Sequence, residues 1–234
     1  HFNLGVSFFE CAQNESAIKC FEKVLAINKN NAEAYFMLGS AFQAVGKFDK
    51  AIKNYEKTIS INPKDETAYN NLGTILMDLR RLNEAEDIFR HALAVSPDNA
   101  GIHINLGNTL KFLNKLQEAE KSCRKAIKLK PEFFSSYYNL GHILQEQGKL
   151  KDAELSFRKS IDLNPKFSKA YRSLSIILME LNKLEEAKEV CELVIEIDSK
   201  FAEVYANLGL IYYFNGDIIS ALKNLKEGIS IDPN

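Results

Sequence analysis

Apolar and polar residues along the chain follow the period of an amphipathic helix. Apolar residues recur at i, i+3, i+4 and i+7 and never alternate with polar residues for long, which predicts α-helices rather than β-strands. In one clear example, Tyr35, Leu38 and Phe42 would share a face of a first helix, and Phe48 would begin the apolar face of a second. Gly46, between them, is typical of a turn. The pattern therefore predicts helix–turn–helix hairpins.

Three residue types repeat along the chain with a period of 34 residues. One set is glycine, with serine at one position: Gly5, Gly39, Gly73, Gly107, Gly141, Ser175 and Gly209. The second set is alanine: Ala17, Ala51, Ala85, Ala119, Ala153, Ala187 and Ala221. The third is proline: Pro63, Pro97, Pro131, Pro165 and Pro233. Because these sets keep one period independently, the chain is predicted to contain about seven repeated hairpins.

A single hairpin of this length cannot fold alone. It buries too few apolar side chains to offset the conformational entropy that its backbone loses. Neighbouring hairpins must supply the missing burial, which predicts an array in which each hairpin packs mainly on the adjacent ones.

The pattern of these residues resembles the tetratricopeptide repeat. An aromatic residue, a leucine and a glycine are followed by alanine, a second aromatic residue and proline within 34 residues, as in that family. The resemblance covers the entire chain and implies an all-α, right-handed α-solenoid, or superhelix, of about seven helix-turn-helix units. The units are expected at residues 1–31 (truncated), 32–65, 66–99, 100–133, 134–167, 168–201 and 202–234.

Composition and charge narrow the function classes. The chain has 30 Lys and Arg against 31 Asp and Glu, a net charge of −1, and no apolar run reaches the roughly 18 residues of a membrane span. We therefore expect neither nucleic acid nor a membrane as partner. The four cysteines have no CxxC spacing, and three fall where other repeats place apolar core residues, which indicates reduced thiols in a cytoplasmic protein.

The motifs of common enzyme classes do not occur in the sequence. It contains no glycine-rich phosphate loop, no HExxH helix and no G-x-S-x-G turn. We therefore expect no catalytic residue, no metal site and no cofactor in this segment.

An asparagine recurs on the first helix of five units, two residues before the glycine position. The residues are Asn3, Asn71, Asn105, Asn139 and Asn207. Asparagine is a poor helix former, and its amide can donate and accept at once, which suits binding of a peptide backbone. In the resembling family the first helices line the concave face, and this row is similar to the asparagine ladder of O-linked N-acetylglucosamine transferases. The alternative is that asparagine is merely inherited with the repeat consensus.

The resemblance places further side chains in the same groove. They are Asn108, Tyr138, His142, Lys169 and Arg172. The resulting hypothesis is a protein-interaction scaffold that binds an extended peptide or a partner helix in its concave groove.

Two alternatives remain open. The repeats are also similar to those of bacterial transferases that carry such arms, so the chain would be the substrate-recruiting arm of a larger transferase, such as a peptide O-GlcNAc-type glycosyltransferase. The first unit also lacks its opening residues, and the last ends where the family begins another unit. We therefore expect that further repeats or a cap were removed, or that terminal units associate with a neighbouring molecule, including another copy.

Overall fold

The computed structural model describes residues 1–232, and in this part of the chain all regular structure is α-helical. The helices are α1 (Phe2–Glu10), α2 (Asn14–Ile27), α3 (Ala32–Ala44), α4 (Phe48–Ile61), α5 (Glu66–Asp78), α6 (Leu82–Val95), α7 (Ala100–Phe112), α8 (Leu116–Leu129), α9 (Phe134–Glu146), α10 (Leu150–Leu163), α11 (Ser168–Glu180), α12 (Leu184–Ile197), α13 (Ala202–Phe214) and α14 (Ile218–Ile231). The predicted all-α fold of about seven helix-turn-helix units is confirmed. Pro233, and with it the end of the unit expected at 202–234, lies outside the described residues.

The helices form two structural units. The first unit comprises His1–Asn114 and the second Lys115–Asn234. Within each unit, a second helix packs both on its own first helix and on the first helix of the next hairpin, as α4 does with α3 and α5, and α10 with α9 and α11. Each hairpin thus buries its apolar residues against its neighbours, which is the arrangement that the stacking argument predicts.

Each turn between paired helices contains one residue in the left-handed region. These residues recur every 34 positions: Ala12, Gly46, Arg80, Asn114, Gly148, Asn182 and Gly216. At Gly46, φ is 72°, and the N–H groups of Gly46 and Lys47 donate to the carbonyls of Gln43 and Phe42. These two bonds satisfy carbonyls at the end of α3, as in other left-handed helix caps. The predicted turn at Gly46 is therefore confirmed.

The second helices end at the same repeat position with or without proline. α4 ends at Ile61, two residues before Pro63, and α2 ends at Ile27, two residues before Lys29. Proline is compatible with this position because it cannot continue a helix. It is not needed there, since α2 ends at the same repeat position without it.

The first helices begin differently in the two units. In α3, α5 and α7 of the first unit, the residue before the helix is polar, and its side chain accepts a hydrogen bond from a backbone N–H of the first turn. These caps are Asn31, Asp65 and Asn99. In the second unit the same position holds Phe133, Phe167 and Phe201, which make no side-chain cap. Phe167 instead packs edge-on against Phe134 and Tyr138, so apolar contact replaces the polar cap there.

Four of the periodic glycines, Gly5, Gly39, Gly73 and Gly141, lie directly opposite aromatic rings of the paired second helix. A Cβ atom added to Gly73 would lie 2.5 Å from the ring of Phe89, and one added to Gly141 would lie 2.6 Å from Phe157. Neither ring has any solvent exposure. Glycine is therefore required where an aromatic residue fills the space between the two helices.

The cysteines are placed largely as predicted, with Cys20, Cys123 and Cys191 buried and Cys11 exposed. Burial raises the pKa of the Cys191 thiol to about 11, which keeps it protonated and unreactive at neutral pH. Phe48, by contrast, was expected on the apolar face but is 39% exposed, because it is the first residue of α4. Within residues 1–232, no helix has the length and apolar character needed to cross a membrane.

Two carboxylates with little solvent exposure join adjacent hairpins in the second unit. Glu120 of α8 accepts hydrogen bonds from Arg124 on the same helix (2.8 Å) and from Lys149, the residue before α10 (2.9 Å). Glu154 of α10 is paired in the same way with Arg158 and Lys183. Burial acts to raise the pKa of Glu120, but the bonds from Lys149 and Arg124 outweigh it and hold this pKa at about 2.

Replacing Glu120 with glutamine is expected to lower the free energy of unfolding at pH 7 by about 1 kcal/mol, since both cationic partners are half-exposed. The pKa of this carboxyl is lower in the folded chain than the ordinary value of 4.5. Its contribution is therefore complete above pH 4.5 and is lost as the pH falls towards 2. Urea unfolding from pH 7 to pH 2 should show the wild type and Glu120→Gln converging in that interval. Glu189→Gln, at an exposed carboxylate of α12, should run parallel to the wild type throughout.

Candidate functional site

The predicted site residues lie on the first helices. We use the term first-helix face for the half-buried or exposed residues at these helix positions. In the first unit they are Asn3, Asn70, Asn71, Asn105 and Asn108, and in the second Tyr138, Asn139, His142, Lys169 and Arg172. The face is described separately in each unit.

In the first unit, the recurrent asparagines donate to the preceding hairpin. Asn105 Nδ2 donates to Asn70 Oδ1 at 2.8 Å, which joins α7 to α5. Asn71 Nδ2 donates to the Tyr55 hydroxyl of α4 at 3.4 Å. That hydroxyl donates in turn to Gln43 Oε1. The repeated asparagine therefore has a structural role, because its NH₂ group connects adjacent repeats.

These bonds use only part of each amide. The Oδ1 atoms of Asn71 and Asn105, and the NH₂ group of Asn70, have no hydrogen-bond partner among residues 1–232. The Asn70–Asn105 pair thus presents a donor and an acceptor side by side. Such a pair matches the C=O and N–H groups of a peptide backbone. Asn108, one turn further along α7, is half-buried with its whole amide unpaired within the described chain.

A polar cleft of about 220 Å³ opens beside this pair, between the first turns of α5 and α7. Its lining includes Glu66, Thr67, Asn70 and Gly101. A hydrogen bond from Asn99 lowers the pKa of Glu66, so this carboxylate is charged at neutral pH. Gly101 has no side chain to fill the space. Sequence reasoning missed this cleft, although glycine in the first turn of a helix is a signal that could have indicated it.

In the second unit, the face is largely aromatic around α9. The ring of Tyr138 packs edge-on against His142, with centroids 4.6 Å apart, and against Phe157 and Phe167. His142 Nε2 lies 3.3 Å from Ser173 Oγ. His142 is thus held by packing and hydrogen bonding. Asn139, next to Tyr138 on the same helix, is half-buried and makes no side-chain hydrogen bond with a described residue.

Two cations follow on α11. Lys169 is exposed in the first turn, and Arg172, one turn later, is half-buried. The Nε–H group of Arg172 is buried and has no acceptor within residues 1–232. A buried donor without an acceptor is unfavourable. The Nε–H itself is out of reach of a ligand, but the side chain is half-buried rather than buried, so its positive charge is available to a carbonyl or carboxylate oxygen of a ligand.

The two outermost asparagines differ from the others. Asn207 is only 8% exposed, and its Nδ2 donates to Ser175 Oγ at 2.9 Å. Ser175 occupies the position that is glycine in other repeats, so here the asparagine fills the junction and presents no amide to a ligand. Asn3, on α1, is exposed and makes no side-chain hydrogen bond with a described residue. Of the five recurrent asparagines, Asn3, Asn71, Asn105 and Asn139 are therefore exposed or half-buried, and Asn207 is buried.

No set of three or more His, Cys, Asp or Glu side chains with the geometry of a metal site occurs in residues 1–232. The side chains of the first-helix face are amides, aromatic rings and two cations. These groups can bind a polar or extended chain through hydrogen bonds.

The repeat pattern matches known protein families. Models of the tetratricopeptide repeat match residues 32–65, 65–132, 134–167, 168–201 and 202–234, and a model described as TPR repeat matches residues 5–46. The chain belongs to the tetratricopeptide repeat family. Comparison with curated protein sequences gives no significant match.

Solved tetratricopeptide repeat (TPR) structures are similar to this chain. YrrB, described as a TPR protein with an unusual peptide-binding site, is 25% identical over 77% of this chain and 93% of its own, with a TM-score of 0.61. PilF of Pseudomonas aeruginosa is 21% identical over 87% and 92%, with a TM-score of 0.74. The C-terminal part of a TPR repeat-containing protein of Cytophaga hutchinsonii is 21% identical over 100% and 96%, also with a TM-score of 0.74. The last two comparisons show the shared fold alone.

Proposed function

We propose that this TPR chain is a protein-interaction scaffold whose first-helix face binds an extended peptide. The observation that carries the proposal is the Asn70–Asn105 pair, which is fixed by its own hydrogen bond and still offers one donor and one acceptor. A fixed pair loses little side-chain entropy when it binds a peptide group. The peptide-binding site named for YrrB, a structure of the same fold, supports this class of function.

The chemistry of the face indicates which peptide it would prefer. In the first unit, the charged carboxylate of Glu66 in the polar cleft favours a basic side chain of the ligand. In the second unit, the positive charges of Arg172 and Lys169 favour a hydrogen-bond acceptor on the ligand. A ligand carbonyl or carboxylate beside the aromatic rings of Tyr138 and His142 would supply that acceptor. The alternative of a substrate-recruiting transferase arm would use the same face and stays a prediction.

Changing Asn71, Asn105 and Asn139 together to alanine is expected to weaken peptide binding by about a hundredfold, since several hydrogen bonds to the ligand are lost. The probe is a peptide selected against the wild-type chain from a phage-displayed random library. Affinity would be measured by calorimetry. Thermal unfolding should change only modestly, because the bonds of Asn71 and Asn105 to neighbouring repeats contribute about 1 kcal/mol each.

The matched control is Asn54→Ala on the second helix α4, where the side chain bonds only to the Lys50 carbonyl of its own helix. This variant should retain wild-type affinity. Unchanged affinity of the triple variant would reject the proposal and leave the asparagines with their role at the repeat junctions.

A further inference from the structure

A further cleft is lined by residues of α8, α9 and α10, and the function proposed above does not use it. Its volume is about 350 Å³, and all of its lining residues belong to the second unit. Ile127 of α8, Leu140 of α9 and Leu155 of α10 give it an apolar interior, with Tyr137 beside them. We refer to it as the outer cleft.

Leu155 distinguishes this place from every other repeat. The equivalent positions in the other six repeats all hold charged residues: Lys19, Lys53, Asp87, Lys121, Glu189 and Lys223. Leu155 is 65% exposed, so burial within the described chain does not account for an apolar side chain here. A single exposed leucine is ordinary on a protein surface. Leu155, however, borders an apolar cleft at a position that is charged in the other repeats, so it is suited to contact an apolar side chain of a ligand.

The rim of the outer cleft is positively charged. The segment 121–130 carries five cations and no acidic residue, in a chain whose net charge is −1. Of these, Arg124 and Lys128 line the cleft, and Lys159 of α10 lines it from the other side. Lys128 and Lys159 form no ion pair with any residue of the described chain. Glu120, at the far end of α8, is already bonded to Arg124 and Lys149.

We propose that the outer cleft binds an acidic protein segment that inserts one large apolar side chain. The apolar interior would take the side chain, and Lys128 and Lys159, which have no ion-pair partner in the described chain, would pair with flanking carboxylates. Tyr137 is the one aromatic side chain in the lining of the cleft, whereas proteins that bind single-stranded nucleic acids stack successive bases on several aromatic rings. Membrane attachment would need several apolar side chains projecting together, whereas Leu155 stands among cations.

The test uses a short synthetic peptide, rich in glutamate around a central Leu-Phe pair and labelled with fluorescein. Two companion peptides replace either the Leu-Phe pair with serine or the glutamates with lysine. Fluorescence anisotropy with the whole chain should show binding of the first peptide alone, weakening as salt is raised. Equal binding of the serine peptide, or no binding of the first peptide, would overturn the proposal.

Variants of the cleft residues test whether the acidic peptide binds in the outer cleft. Leu155→Lys installs a residue type common at this position in the other repeats, so the fold is retained, and it should weaken binding by at least about tenfold, as expected for an anchor residue. The double variant Lys128→Glu with Lys159→Glu should weaken binding by a similar factor. Its remaining binding should strengthen as salt is raised, because salt then screens repulsion between the variant and the acidic peptide. Lys57→Glu, at the position in α4 equivalent to Lys159, is the control and should leave binding unchanged.

Three further outcomes separate this proposal from the first one and test where the peptide binds. The triple asparagine variant of the first-helix face should bind the acidic peptide as the wild type does, so failure of either proposal leaves the other intact. If Leu155→Lys binds the peptide normally, the outer cleft is not its site. If labelled oligouridylate or phosphatidylserine vesicles bind in a Leu155-dependent way and the peptide does not, the cleft serves a nucleic acid or a membrane, and the proposal is wrong.

Discussion

Replacing Phe89 with alanine is expected to lower the free energy of unfolding of the first unit by about 3–5 kcal/mol. The Phe89 ring has no solvent exposure and fills the space above Gly73, between α5 and α6. Glycine has no side chain that could move into the cavity, so the site cannot collapse around the smaller residue. Urea unfolding followed by circular dichroism measures the loss.

Phe48→Ala is the matched control for this measurement. It removes the same ring from the first unit, but at a position that is 39% exposed, and should cost about 1 kcal/mol. A loss for Phe89→Ala no greater than that for Phe48→Ala would contradict the packing described here.

The second large effect is a coupling between Gly141 and Phe157. Gly141→Ser should destabilise the second unit by about 2 kcal/mol, because its Cβ would overlap the Phe157 ring and force it to shift. The chain itself contains the compatible combination, since Ser175 lies opposite the small buried residue Cys191. Gly141→Ser should therefore cost much less in a Phe157→Cys background.

A double-mutant cycle measures this coupling. Phe157→Cys alone should cost about 3 kcal/mol through the cavity that it leaves. The double variant should cost clearly less than the sum of the two single changes, with a coupling of about 1–2 kcal/mol. Additive losses would show that the ring does not impose glycine at position 141.

The fold can be predicted from the sequence because the same residue types recur at the positions where helices pack closely and where turns occur. Small residues such as Gly73 and Ala85 mark where two helices approach closely, and Gly46 marks a turn. Other residues give no such signal. Arg80 and Asn182 adopt the left-handed turn conformation, and α12 ends before Ser199 as regularly as α4 ends before Pro63. There, the packing of the neighbouring helices determines the backbone, and no single residue identifies it.

The candidate site is predicted less completely, because an amide's role depends on what faces it. The row of asparagines is plain in the sequence, yet the bond of Asn105 to Asn70 and that of Asn207 to Ser175 depend on contacts between repeats. The bond of Asn105 to Asn70 leaves other amide groups of the pair accessible, whereas Asn207 is buried where it bonds to Ser175. Position along the repeat gives the face of the helix, whereas accessibility follows from the neighbouring repeat.

The most direct test of the account is the NMR spectrum of the asparagine side-chain amides during titration with the selected peptide. The account predicts that the side-chain signals of Asn70, Asn105, Asn108 and Asn139 shift, while that of Asn54 on the second helix α4 stays in place. Shifts confined to residues of the second helices, with these four amides unmoved, would contradict it.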